Sequence, residues 1–282
     1  MRGRQVREVC LLTDSLTRPG GTGESQWRTR DGHRLRVLVS ETHGHARDAE
    51  DARRMSHNPE VAGSNPAPST KGLRFRALSA YAQAGLLGPD INFVHGNQLT
   101  SVEWSLIADS CASLAICPSI DMLMALGTYP ATGFALANGI PAGLSVDATT
   151  GTGTDLFSEM RLALAAERSR ANAAEVGRDE AVAEVQLDHR DMLRLATFGG
   201  AHAWRIADQV GSLTPGKQAD LVIVDHTAPH LDGFGDPVDS IVMGAGPADV
   251  ETVVVGGEVV KAGGKLVGAH AARAADLMRA SR

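Results

Sequence analysis

The pattern of hydrophobic and polar positions changes character near Gly72. Upstream, Met1 to Lys71 is rich in Arg, Gly, Ser, Thr and Pro, and only Arg34-Leu35-Arg36-Val37-Leu38-Val39 alternates as a strand does. Residues 1–72 therefore read as a largely irregular or disordered segment. Downstream, Leu73, Ala77, Leu78, Tyr81, Ala84 and Leu87 fall on one helical face, ended by Gly85 and Gly88-Pro89. Ile91-Asn92-Phe93-Val94 forms a short strand ending at His95. Thr100 with Glu103 three positions on is a capping-box pattern that opens a helix reaching Asp109. Ala112 to Cys117 is a buried-type strand closed by Pro118-Ser119. A helix over 131–138 leads to a third strand, Gly143-Leu144-Ser145-Val146, with Asp147 at its end. The next helix, Asp155 to Arg170, turns Phe157, Met160 and Leu164 inward and sets Asp155 near its positive N-terminal end.

Strands alternating with helices through short loops predict a parallel sheet. In a TIM-type barrel the chemistry collects at the carboxyl ends of the strands, which is where His95 and Asp147 fall. Beyond residue 207 the texture is all β. Val210 to Asp225, VGSLTPGKQADLVIVD, reads as a hairpin, with turn chemistry at Leu213-Thr214-Pro215-Gly216 and a strand at Leu221-Val222-Ile223-Val224 that is expected to be buried on both faces. Val250 to Lys261 repeats the theme around Gly256-Gly257, a two-residue hairpin signal. Lys261 to Leu266 supplies a last turn and strand, and Ala271 to Arg279 a short amphipathic helix. The expected organisation is an atypical segment 1–72, a β/α region 73–207, and a small β domain with a C-terminal helix at 208–282.

Composition narrows the function classes. With 282 residues and 43% hydrophobic content the chain can bury a sizeable core. A formal net charge of -6 offers no basic face, which argues against a nucleic-acid partner. No stretch approaches a membrane span. Cys10, Cys111 and Cys117 form no CxxC pair and no even framework, so a reducing, cytoplasmic setting is expected, with Cys111 and Cys117 read as small buried hydrophobes.

The run Val210 to Asp225, the valine-rich hairpin after it, and Arg190 to Ala201 upstream together resemble the amidohydrolase superfamily, in its cytosine deaminase and chlorohydrolase branch. The resemblance is read from about Leu73 to the C-terminus. Phe93-Val94-His95-Gly96-Asn97 is similar to the family's strand six and Leu144-Ser145-Val146-Asp147 to its strand eight. It implies a partial (β/α) barrel, about strands six to eight, joined to a small C-terminal β-sandwich. It further implies a metal-dependent hydrolase, with Zn or Fe, acting on carbon–nitrogen bonds of small cyclic or amidine-like compounds. On that reading Asp147 is the catalytic carboxylate and a metal ligand. His95 is the partner of the attacking water or a further ligand, and Asn97, Ser119 and Asp121 are substrate contacts.

His43-Gly44-His45 has the form of the family's strand-one metal pair, although its polar surroundings and its short distance from the next family element favour surface histidines. His202 reads as structural. With no strand-five histidine in view, Asp147 and His95 fall short of a three-ligand catalytic set. The expectation is therefore a truncated and inactive chain carrying the C-terminal half of the enzyme. The alternative is a non-enzymatic fragment, either a translated pseudogene or a subunit needing a second chain for its N-terminal half, with a homo-oligomer or a complementing chain as the expected protein partner. A half barrel exposes sheet edges, which favours such assembly.

Overall fold

The computed structural model describes the backbone of residues 9–11, 25–28 and 34–37, and residues 78–149, 153–180 and 187–280 in full apart from the side chain of residue 270. The chain divides into two units, one holding residues 44–207 and the other residues 1–43 with 208–282.

In the first unit, the helix α1 (residues 78–83) stops at Gly85, whose φ of 67° suits a residue without a Cβ. Three strands, β4 (Asn92–Val94), β5 (Ser113–Ile116) and β6 (Ala142–Leu144), form a parallel sheet in the order β4-β5-β6. The pairs Phe93 with Leu114 and Ala115 with Gly143 set the register, so the three carboxyl ends lie on one side. β5 is the central strand, and Leu114 and Ile116 are fully buried. The helices between them begin where the sequence says. The capping box of α2 (Ser101–Asp109) is formed in both directions, Thr100 accepting from the Glu103 N–H and the Glu103 carboxylate from the Thr100 N–H. α3 (Pro118–Leu123) carries proline in its first turn, and α4 (Thr132–Ala137) follows. α5 (Leu156–Val176) is capped by Asp155, which accepts the Ser158 N–H at 2.8 Å, and it buries Phe157, Met160 and Leu164 as expected.

The last helix of this unit, α6, runs through His189–Arg194, a π-helical turn Leu195–Gly199 and Gly200–Ala203. It lies against β6 at glycine. A Cβ on Gly199 would stand 2.4 Å from the Ala142 carbonyl, and one on Gly143 would stand 2.6 Å from the Gly200 Cα. The wider π turn and the bare glycines are what let helix and strand backbones approach this closely. Cys111 departs from expectation. It is exposed, in the turn after α2 with φ 57°, two residues past the end of the helix at Asp109, while Cys117 is buried.

The second unit is one seven-stranded sheet in the order β10-β9-β8-β7-β1-β3-β2. It comprises β1 (Val9–Leu11), β2 (Ser25–Arg28), β3 (Arg34–Val37), β7 (Leu221–Asp225), β8 (Val250–Val255), β9 (Glu258–Ala262) and β10 (Lys265–Leu266). The strand-like alternation near Arg34 is β3, and two further strands of the N-terminal segment join the sheet. Among the described residues the strands form a single sheet, where two packed layers were expected.

Gly256-Gly257, at φ 56° and 85°, makes the tight β8–β9 hairpin. The hairpin expected at Val210 to Asp225 has its turn but not its first arm. Both edges of β7 are taken, by β1 and β8, and the Lys217 ammonium donates back to Ser212 Oγ at 2.7 Å, folding the arm onto itself. Nor is β7 buried on both faces. Val224 is fully buried and its neighbours are half-buried. Lys217 and Asp220 act as scaffold, Asp220 Oδ1 accepting the Gly256 N–H at 2.6 Å. α7 (Pro237–Met243) and α8 (His270–Ala280) complete this unit. Among the described residues no helix is long and apolar enough to cross a membrane.

Gly199→Ala is expected to force α6 off β6 and lower stability by about 1–3 kcal/mol, the usual cost of overpacking. A melting temperature equal to that of the wild type would refute the close-approach account.

Candidate functional site at the strand ends

His95 and Asp147 both follow strands at the carboxyl end of the parallel sheet. His95 follows β4 directly, and its N–H still donates to the Ala115 carbonyl on β5 at 2.9 Å. Its φ of 76° is in the left-handed region, so the chain leaves the strand at this residue. The ring is held from below, Nδ1 lying 2.7 Å from Asp121 Oδ1. Asp121 sits in the first turn of α3 with 1% of its side chain exposed, against 31% for His95. Its backbone is fixed as well, since its N–H donates to the Cys117 carbonyl and its own carbonyl accepts from Leu126. The second carboxylate oxygen, Oδ2, is buried and has no hydrogen-bond partner.

Asp147, expected as the catalytic carboxylate, lies beyond β6 with φ 52° and an exposed side chain, and its N–H donates to Ser145 Oγ at 3.2 Å. At Ser119 the backbone N–H donates to Glu159 Oε2 at 2.9 Å. The Asn97 amide is buried, with neither its oxygen nor its nitrogen hydrogen-bonded. The Asn97 side chain packs so closely on Gly127 that a Cβ at 127 would stand 2.6 Å from it. His202 stacks on Phe198 with ring centroids 5.7 Å apart, in keeping with a structural role. His43 and His45 lie outside the described residues.

Two participants escape a sequence reading. Glu159 is wholly buried, yet it falls in the first turn of α5, where an acid reads as a solvated complement to the helix dipole. Ser145 looks like an ordinary strand residue, but it accepts from Asp147 and bonds to the Cys117 thiol. Burial pushes that thiol up from 9.0 to about 12, with the charges of Asp121, Asp147 and Glu159 acting the same way against the Ser145 hydroxyl, which favours the thiolate. Cys117 is therefore a neutral thiol at physiological pH. Among the described residues no group of three or more His, Cys, Asp and Glu side chains could hold a metal ion. Among the described residues, His95, through Nε2, and Asp147 are the donors at the strand ends, one fewer than the three-ligand set of a catalytic site.

An imidazole and a carboxylate at the carboxyl ends of parallel β/α strands stand where a (β/α) barrel places its chemistry. A family model described as the amidohydrolase family matches residues 41–260, and the chain belongs to that family. The match starts earlier than Leu73 and so takes in His43-Gly44-His45. The 5-methylthioadenosine/S-adenosylhomocysteine deaminase of Halobacterium salinarum is 33% identical over 186 residues, covering 66% of this chain and 40% of the relative.

Among solved structures, an adenosine deaminase from Xanthomonas campestris with bound zinc superposes with a TM-score of 0.62 at 29% identity, over 72% of this chain and 44% of the other. Atrazine chlorohydrolase from Arthrobacter aurescens TC1, complexed with zinc, gives 0.60 at 26% identity, over 70% and 42%. The chain thus spans less than half the length of these relatives. They place the β/α sheet within a TIM-barrel-like fold, and they are, by name, hydrolases and deaminases.

The raised thiol predicts a reactivity contrast. In the native protein Cys111 is alkylated at neutral pH while Cys117 resists until the chain is unfolded, as peptide mass mapping would show. The unfolded chain releases the Cys117 proton near pH 9 and the folded chain only near 12, so the unfolded state binds fewer protons between them and stability falls as pH rises through that window. Cys117→Ala should lose that part of the slope, and an unchanged slope would contradict the burial account.

Proposed function

We propose that His95 and Asp147 serve the hydrolytic removal of an amino group from a small cyclic amidine, of the kind present in adenosine-type compounds. The observation that carries this reading is the placement of both residues at the carboxyl ends of one parallel sheet, in a chain whose relatives are named for deaminating such compounds. Deamination adds water to the sp² carbon that bears the amino group. Of the two water protons one must reach the ring nitrogen of the amidine and the other must pass through a base to the departing amino nitrogen, so that the C–N bond breaks with loss of ammonia and a carbonyl remains. The exposed Asp147 carboxylate is suited to accept and return that proton. His95 is suited to orient the water through Nε2, since Nδ1 is already engaged.

A second reading is a chain that does not turn over by itself and works with a complementing chain or a second copy. It is favoured by the two donors available at the strand ends and by the edges of β4 and β6, which carry no further strand among the described residues.

One assay separates the two. The full chain is incubated with Zn(II) or Fe(II) and with adenosine, 5-methylthioadenosine or S-adenosylhomocysteine, and ammonia release is followed. Metal-dependent release that falls by about 10²-fold or more in Asp147→Asn, the scale of a lost general base, is the expected result. No release with any of the three compounds, together with no metal retained after gel filtration, would reject the first reading.

A further inference from the structure

The sequence alone makes Asp121 a substrate contact, but its burial and its bond to His95 argue otherwise. With 1% of its side chain exposed it cannot meet a ligand directly, while its Oδ1 lies 2.7 Å from His95 Nδ1. We infer that Asp121 is a positioning residue, holding the His95 imidazole in the tautomer with the proton on Nδ1, so that Nε2 carries the lone pair on the side of the ring away from the buried carboxylate.

Three observations support this. A carboxylate only accepts, so a 2.7 Å contact with Nδ1 requires that nitrogen to donate. Asp121 cannot turn away, because its N–H and its carbonyl are bonded to Cys117 and Leu126 in the first turn and end of α3. Nor can His95 follow another course, because its N–H is bonded to Ala115 while its φ of 76° sets where the side chain departs. The tautomer of a histidine is decided by the bond its other nitrogen makes. An isolated histidine side chain prefers the opposite tautomer, with the proton on Nε2, and would offer a donor where the reaction needs an acceptor. The unpartnered Oδ2 of Asp121 does not compete for the ring, since Oδ1 alone makes the contact.

This inference rests on the assignment of His95 to the reacting end of the sheet, but its test needs neither substrate nor turnover. The full chain is labelled with ¹⁵N-histidine and its imidazole nitrogens are observed at a pH where the ring is neutral. The His95 signals are identified by their loss in His95→Gln. In the wild type, Nδ1 should appear protonated and Nε2 bare; a bare Nδ1 overturns the proposal. In Asp121→Leu, which keeps the bulk but removes the acceptor, Nδ1 loses its partner and the ring should shift toward the tautomer with the proton on Nε2; an unchanged Nδ1–H population overturns the proposal.

If deamination is found, Asp121→Asn should lower kcat by about 10–100-fold, the usual scale for a group that orients a functional histidine, with KM little changed. A rise in KM at constant kcat would mean a substrate contact and would reject the positioning role. Absence of deamination with the expected tautomer would count against the proposed function and leave the Asp121 assignment standing. The opposite tautomer in an active protein would do the reverse.

Discussion

The strand-end site depends on two backbone turns into the left-handed region, at His95 with φ 76° and at Asp147 with φ 52°. A residue other than glycine held there costs about 1–3 kcal/mol and persists only where its surroundings over-determine it. Here they do. The His95 N–H stays on the ladder with Ala115, Ser145 donates to Ile116 at 2.8 Å, and the Asp147 N–H finds the Ser145 hydroxyl. The consequence is that β4 and β6 stop at the edge of the sheet, and the next side chains leave it where a parallel sheet gathers its chemistry. His and Asp are among the side chains that tolerate this conformation best, so the two residues able to do proton chemistry also suit the backbone they occupy.

Among the described residues of this unit four acids are buried, two bonded within their own helix and two bonded to distant stretches of chain. Glu103 closes the α2 capping box with Thr100, and Glu167 pairs with Arg170, whose guanidinium lies over the Phe134 ring at 4.8 Å. Those two are scaffold. Asp121 and Glu159 are different, because they stand behind the strand ends. Asp121 takes the His95 ring and Glu159 takes the Ser119 N–H, and each keeps one buried oxygen without a partner. Buried carboxylates are costly unless bonded. Burial first, and then the charges of these two acids and of Asp147, raise the Cys117 thiol.

Much of the local structure was legible in the residues themselves. Thr100 with Glu103, Asp155 ahead of α5, Gly256-Gly257 and the alternation near Arg34 each became the element they announce, because a cap, a turn or a strand edge is decided within a few residues. The strand ends at His95 and Asp147 were legible for the same reason. The first arm of the Val210 to Asp225 hairpin was not, because whether β7 has a free edge depends on β1 and β8, both distant in sequence. The exposure of Cys111 was not legible either, because whether the turn after a helix is covered depends on what packs over it.

The sequence by itself determined the family, the alternation of strand and helix, and the chemical groups placed at the strand ends. It could do so because those properties are carried by neighbours and by short spacings. Only the tertiary structure decided what the groups do to one another. Asp121 and His95 are 26 positions apart, and Ser119 and Glu159 are 40 apart. No periodicity links such pairs, and an acid in the first turn of a helix looks the same on paper whether it faces water or the interior. Packing α3 and α5 beneath the sheet buried these acids, and burial turned them into partners of the strand ends.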